Sequence, residues 1–280
     1  MKSSPKVLTR VGKIRYTNCL PFYHRLNETS DFEFFETYPV EVNQALAQGK
    51  VEIAPVSSLE YLKNQSQYLL LPGMSIASRD FAGSVLLLSC KKIEDLNGAK
   101  IALSQESLSS AALLQILLKS KLKFENSFET VPSDPEKMTA EYEAALVIGD
   151  DALFYQPREF VYKYDLAELW WNWAGKPFCF ALWAVRKKFA EQFPEEVAFF
   201  WQRLKKNTEA NLTDIETLIK DAAGLTFLDD KFPKVFGYLF NLNYGLDPET
   251  LGGLELFYRL AHRLGVAPKP AKPEFLNLDA

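Results

Sequence analysis

Through the first half of the chain, short apolar runs rich in β-branched residues alternate with stretches of helical periodicity. This alternation constrains the fold more than any other feature of the sequence. Strands are expected at Val11–Tyr16, Val51–Val56, Val85–Ser89, Lys100–Leu103 and Ala144–Ile148. Helices are expected at Cys19–Leu26, Val42–Ala47, Ser58–Lys63, Ser109–Leu118 and Asp151–Tyr155. Strands alternating with helices point to an α/β protein with mainly parallel sheets. From Lys187 onward the pattern turns almost wholly helical, with apolar stripes over Glu195–Lys206, Thr213–Ala223, Asp230–Asn241 and Pro248–Leu264. Gly224, Gly245 and Gly265 stand where these helices should stop. The Pro-rich tail Ala267–Pro273 is expected to run extended over the surface.

Two further segments read as crossings between lobes. One is Ser84–Ser89, after the turn-rich stretch Ser78–Gly83; the other is Phe178–Val185, after Gly175-Lys176-Pro177. They give a discontinuous first lobe, 1–88 with 184–280, and an inserted second lobe, 89–183, with a ligand cleft between them. At 280 residues the chain is long for one core and comfortable for two lobes.

With 36 acidic against 32 basic side chains, the formal charge is −4. That balance argues against nucleic-acid binding, which needs clustered Lys and Arg, and gives no long-range pull on an anion. Cys19, Cys90 and Cys179 form no CxxC pair and have only His24 and His262 to supplement them, so they are read as buried thiols in a reducing compartment. No motif calls for a metal or an organic cofactor. Lys2, Lys6, Arg10 and Lys13 break up the N-terminus, and no segment reaches the roughly 20 apolar residues of a membrane span. A soluble, cytoplasmic chain is therefore expected, and nothing in the sequence fixes its oligomeric state.

Four strand-to-helix junctions carry small polar residues. They are Thr17-Asn18 before Leu20-Pro21, Ser57-Ser58 with Glu60 at capping-box spacing, Ser107 with Ser109 and Ser110, and Gly149-Asp150-Asp151. In α/β folds ligands sit at the carboxyl ends of strands, where helix first turns offer unpaired N–H groups. Two junctions precede the inserted block and two lie inside it, so they can face each other across the cleft. Such a site suits a small anion, above all a dicarboxylate. Each of these residues is also an ordinary helix cap; it is the four together that point to a site. Ser107, Ser109 and Ser110 lack the GxSxG context of a nucleophile, no His lies near, and no P-loop or GxGxxG fingerprint occurs. The aromatic cluster Trp170, Trp171, Trp173, Phe178, Phe180 and Trp183 reads mainly as packing, and Arg15, Arg79 and Arg186 as surface residues.

At these junctions the sequence resembles the menaquinone-biosynthesis chorismate dehydratases of the futalosine pathway. The resemblance rests on Tyr16-Thr17-Asn18-Cys19-Leu20-Pro21, on Val56 through Tyr61, on Ser84 through Ser89, on Ser107-Leu108-Ser109-Ser110, on Ile148 through Leu153, and on Tyr164 through Phe178. It runs in register from Gly12 to Arg186. It departs where the family has Gly-Pro-Val before Ser84 and this chain has Arg79-Asp80-Phe81-Ala82-Gly83, and where Thr is usual at Ala174. The resemblance implies a two-lobed fold like the type 2 periplasmic binding proteins with a helical C-terminal segment. It also implies a carbon–oxygen lyase that removes water from chorismate to give 3-[(1-carboxyvinyl)oxy]benzoate. It further implies that Asn18 and Ser84 act on the reacting region, and that Ser57, Ser58, Ser107, Ser109, Ser110, Gly149 and Asp150 bind substrate. The favoured base is the substrate's own enolpyruvyl carboxylate, with Asp150 as the protein alternative. Two rivals stand beside this. One is the dihydroxynaphthoate synthase of the same pathway, whose site carries a His. The other is an exported, non-catalytic solute-binding protein.

Overall fold

The computed structural model describes residues 8–26, 31–156, 162–223 and 228–278. The chain opens with β1 (Thr9–Ile14), a one-turn helix α1 (Leu20–Tyr23), β2 (Phe32–Thr37), α2 (Pro39–Gln48), β3 (Ile53–Ser57), α3 (Ser58–Asn64) and β4 (Tyr68–Ser78). It continues with β5 (Val85–Ser89), β6 (Lys100–Ser104), α4 (Ser109–Ile116), β7 (Ser127–Val131), α5 (Pro135–Glu141), β8 (Ala144–Ile148), α6 (Gly149–Phe154), β9 (Tyr162–Asp165) and α7 (Leu166–Ala174). The strand β10 (Phe178–Arg186) then leads to α8 (Lys187–Gln192), α9 (Pro194–Thr213), α10 (Ile215–Ala223), α11 (Leu228–Asn241), β11 (Leu242–Asn243) and α12 (Pro248–Arg263).

Two sheets result. One has the order β11-β4-β10-β3-β1-β2, the other β7-β6-β8-β5-β9. They are mixed, which corrects the expectation of mainly parallel pairing. β1 runs parallel to β2 and β3, and β6 parallel to β7 and β8. β10 is antiparallel to β3 and β4, and β5 is antiparallel to β8 and β9. The reason lies in the connections. β5 and β10 are the strands by which the chain passes from one sheet to the other. A strand arriving that way has no helical crossover on its own sheet to return it to the parallel direction. The two-residue β11 also pairs antiparallel, with β4.

Local chemistry explains most boundaries. Pro39 opens α2, and Gly49 closes it with φ +74°. Ser57 Oγ accepts Glu60 N–H at 3.2 Å, but the Glu60 carboxylate turns to Asn64 at 2.7 Å, so the capping box is only half made. The expected helix Cys19–Leu26 shrinks to the single turn of α1, preceded by a 3-10 turn at Thr17–Cys19. One turn cannot sustain itself. Instead α9 holds it: Asn207 donates to Phe22 O at 2.8 Å, and Asn211 to Pro21 O at 2.9 Å and His24 O at 3.1 Å. β4 was not expected, because Pro72 and Gly73 interrupt its apolar run. There the strand bulges away from β10, and Trp201 donates to Pro72 O at 2.9 Å. β2, whose run carries Glu33 and Glu36, β7, which carries Glu129, and β9 were likewise not expected.

From α8 through α12 the described residues are helical apart from β11 and the connecting turns, and Gly265 beyond α12 has φ +73°. Gly245 follows β11 rather than ending a helix. Gly224, Lys2 and Lys6 lie outside the described residues. Beyond the extended stretch, the tail pairs with β4, Leu70 N–H donating to Glu274 O and Leu276 N–H to Leu70 O, both at 2.8 Å. Trp170, Phe178 and Trp183 are fully buried core residues. Phe178 sits edge-on to Trp170 at 5.6 Å and to Phe257 at 4.9 Å, and Trp183 edge-on to Phe22 at 5.3 Å. Among the described residues, no helix is long and apolar enough to cross a membrane.

The loop from β4 to β5 is held by one buried carboxylate. Asp165 caps α7, its Oδ1 accepting Ala167 N–H at 2.8 Å and Glu168 N–H at 3.3 Å. Its Oδ2 accepts Ala82 N–H at 3.1 Å and Gly83 N–H at 2.6 Å. Burial pushes this carboxyl above its ordinary range while the four N–H bonds pull the other way. Asp165→Ala orphans all four donors and is expected to lower stability by about 3 kcal/mol, with Asp165→Asn losing less. Urea midpoints at unchanged m check this; a loss below about 0.5 kcal/mol, the ordinary size of a surface change, would show the loop to be held by something else.

Candidate active site

The carboxyl ends of β1, β3, β6 and β8 face one another across the two sheets. Between them lies a cavity of about 90 Å³. Asn18, Ser57, Ser84, Ser107, Ser109, Ser110 and Gly149 line it, with Ile14, Ile76 and Phe180 among its apolar walls. Ser58 and Asp150 do not line it. Neither do Arg15, Arg79 and Arg186: among the described residues, no Lys, Arg or His reaches this lining. Arg15 and Arg79 are exposed and ion-paired with Glu36 and Glu249.

The hydrogen bonds assign each polar group a direction. Ser57 Oγ accepts from Glu60 N and, at 3.4 Å, from Asn43 Nδ2, so its own proton is free to point into the cavity. Ser84 Oγ accepts the Tyr238 hydroxyl at 2.8 Å, which leaves Ser84 in the same donor state. Asn18 Oδ1 and Ser107 Oγ are buried and meet no partner within the protein. A buried unpartnered polar atom is costly unless something else satisfies it, and both of these border the cavity. The Asn18 backbone carbonyl is fixed by the Tyr244 hydroxyl at 3.0 Å.

Ser58 and Asp150 do different work. Ser58 is fully buried, its hydroxyl 3.1 Å from that of Ser109, and Ser109 Oγ also accepts Leu59 N–H at 2.9 Å. Two first-turn N–H groups of α3, those of Leu59 and Glu60, are therefore already taken by serine side chains. The Asp150 carboxylate accepts Thr17 N–H at 3.1 and 3.3 Å, which joins α6 to the segment that carries Asn18. Burial raises the Asp150 carboxyl, and the Thr17 contacts oppose the rise.

Sequence reasoning missed four site residues. Tyr16 enters only as part of a motif, and Glu106, Tyr238 and Tyr244 carry no local signal that singles them out. The Tyr16 hydroxyl donates to the Glu106 carboxylate across the cleft, and both residues line the cavity. The Tyr16 ring lies flat against Gly149, where an added Cβ would come within 2.5 Å of it; Gly149 also has φ +64° and donates its N–H to Ser84 O at 2.8 Å. Burial pushes the Glu106 carboxyl up, the Tyr16 bond opposes this, and the neighbouring charges of Asp151 and Glu41 add to it. Burial and the same carboxylate push the Tyr16 phenol far up.

The cysteines differ from expectation in one respect. Cys19 and Cys179 are buried, but Cys90 is exposed because it follows β5 at the sheet's outer end. His24 is 3.5 Å from Asp221 and His262 lies near Ala267 O, both away from the cavity. Among the described residues, no group of three or more His, Cys, Asp or Glu side chains is gathered so as to hold a metal ion.

The model of a family described as menaquinone biosynthesis matches residues 9–263. A chorismate dehydratase of Thermus thermophilus is 34% identical over 194 residues, which cover 64% of this chain and 70% of that protein. Among solved structures, a protein of Archaeoglobus fulgidus superposes with TM-score 0.70 at 17% identity, over 92% of this chain and 97% of the other. The periplasmic aliphatic sulphonate binding protein SsuA of Escherichia coli superposes with TM-score 0.67 at 16% identity, over 98% and 99%. At such identities the likeness shows the fold, which is that of the periplasmic binding proteins.

Two outcomes follow from the cavity geometry. A carboxyl whose folded pKa is raised binds its proton more tightly in the native state, so its contribution to stability falls as pH rises through its range. Glu106→Gln is therefore expected to melt higher than the parent above that range, with the gap closing as pH falls below the ordinary glutamate range. A gap that ignores pH, or a variant less stable throughout, would contradict this. Gly149→Ala meets both the left-handed φ and the Tyr16 ring, and is expected to lose about 1–3 kcal/mol in urea unfolding; an unchanged midpoint would mean that the ring moves aside freely.

Proposed function

The chain belongs to the menaquinone-biosynthesis family, and on that premise we propose that it removes water from chorismate to give 3-[(1-carboxyvinyl)oxy]benzoate. The observation that carries the reading is the pair of unpartnered buried polar atoms, Asn18 Oδ1 after β1 and Ser107 Oγ after β6, whose residues line one cavity. The dihydroxynaphthoate synthase alternative is disfavoured, since neither His24 nor His262 lines that cavity.

The chemistry asks little of the protein beyond orientation. The C3 proton of chorismate is vinylogous to the ring carboxylate, so its removal gives a delocalised anion. The C3–H electron pair then forms the third ring double bond as the C4–O bond breaks, and the proton and hydroxide leave together as water. In the proposed mechanism the enolpyruvyl carboxylate of the substrate takes the C3 proton and passes it to the departing hydroxide, so that water leaves and the carboxylate is restored. Ser84, with its proton directed away from Tyr238, hydrogen-bonds the departing hydroxyl, and Asn18 orients the reacting region. Ser57, Ser107 and Ser110 hold the two carboxylates. Ser58, Ser109, Gly149 and Asp150 act by fixing the frame, because their polar groups are engaged with the protein. Asp150 is accordingly set aside as the base.

A substrate clamped at both carboxylates cannot fold its enolpyruvyl arm over the ring, the pose that rearrangement to prephenate requires. In this proposal the two sheets act as two lobes about the cleft. The boundaries follow the 1–88, 89–183 and 184–280 division, shifted so that β5 belongs wholly to the second lobe and β10 to the first. The proposal keeps the cytoplasmic location expected of a biosynthetic enzyme.

Purified protein incubated with chorismate is expected to form the carboxyvinyloxybenzoate faster than any prephenate. Ser84→Ala and Asn18→Ala are each expected to lower kcat by roughly 10²–10³-fold with the fold intact. Product analysis by chromatography and mass checks both. Saturable binding without turnover would favour a solute-binding protein instead.

A further inference from the structure

The cavity holds one feature that the dehydration mechanism does not use. Glu106 brings a carboxyl group into a lining that, among the described residues, has no basic side chain. The charged groups acting on it are of one sign. Asp151 from α6 and Glu41 from α2 both act on its carboxyl, and Asp150 acts on the Tyr16 phenol bonded to it. Among the described residues, the only hydrogen-bond donor its carboxylate meets is that phenol. A dicarboxylate entering this space would set further negative charge beside an ionised Glu106, with no cation to offset it. Like charges in a partly desolvated site are relieved when one of them takes up a proton.

We propose that the cavity binds its dicarboxylate together with one proton, which resides on Glu106. This rests on the reading of the cavity as a dicarboxylate site, though not on its turning chorismate over. Protonation removes the repulsion and converts Glu106 from an acceptor into a donor, in a lining whose other donors are hydroxyl and amide groups. Tyr16 sets the pH at which this happens. Its hydrogen bond favours the carboxylate, so it holds the proton uptake at a lower pH than Glu106 alone would give.

The test uses 3-[(1-carboxyvinyl)oxy]benzoate, a dicarboxylate that dehydration does not consume, titrated calorimetrically in buffers of different ionisation enthalpy across a pH series. For the parent protein, proton uptake is expected to approach one per ligand at high pH. The dissociation constant should be flat at low pH and then rise about tenfold per pH unit. Glu106→Gln should bind without proton uptake and with a flat pH profile. Tyr16→Phe, which keeps the ring on Gly149, should move the break to higher pH. Uptake that persists in Glu106→Gln would put the proton on the ligand and overturn the proposal, as would a parent protein that takes up none. Proton-coupled binding without chorismate turnover would leave this proposal standing and remove the dehydratase reading. Turnover with proton-free binding would do the reverse. No binding of either dicarboxylate would overturn both.

Discussion

The site depends on side chains of one sheet satisfying backbone and side-chain groups of the other. Ser109, on the five-stranded side, accepts Leu59 N–H at the head of α3. Asp150 accepts Thr17 N–H, and Asp165 ties the loop that leads into Ser84 to the start of α7. Each of these contacts spans more than 45 residues of sequence. Backbone donors at strand ends and helix starts need partners, and here the partners come from across the cleft. The relative placement of the sheets is thereby written into the same hydrogen bonds that position the polar lining.

A second consequence concerns how charge is handled. Among the described residues, the lining handles polarity with hydroxyls, an amide and the Glu106 carboxyl rather than with cations. Ser57 and Ser84 each accept from the protein and so are left to donate, which turns two ambivalent hydroxyls into directed ones. Asn18 Oδ1 and Ser107 Oγ keep open capacity. Directed neutral donors offer a negatively charged ligand orientation without the desolvation cost of a buried Lys or Arg.

Much of the fold was legible because its central strands are unambiguous. β5 and β8 are buried along their whole length, and their near-continuous apolar runs stand out from any helix pattern. What escaped was set by non-local partners. β4 is broken by Pro72-Gly73 in sequence and completed only by pairing with β10. α1 looked like a two-turn helix and is one turn, held by Asn207 and Asn211. Strand direction in β5 and β10 follows from their passage between sheets, which no local pattern encodes. At the cavity, the small polar residues of the strand-to-helix junctions were visible because caps have a recognisable chemistry. Tyr16 and Glu106 were not, because 90 residues separate the phenol from its carboxylate and neither type marks a turn or a cap. Ser58 and Asp150 show the limit of the junction argument: the right residue at the right junction can face the frame instead of the cavity.

The helical C-terminal segment reaches back to the site at several points. Asn207 and Asn211 hold α1, Tyr238 directs Ser84, Tyr244 fixes the Asn18 carbonyl, and the Tyr258 hydroxyl donates to Ser58 O at 2.8 Å. A chain made from its N-terminus forward presents Asn18, Ser57 and Ser84 long before these partners exist. Parts of the lining are therefore completed only by residues that are synthesised last. A nascent chain that stops short of Tyr238 can build both sheets' central strands, yet it holds a cleft in which the Ser84 hydroxyl has no assigned direction.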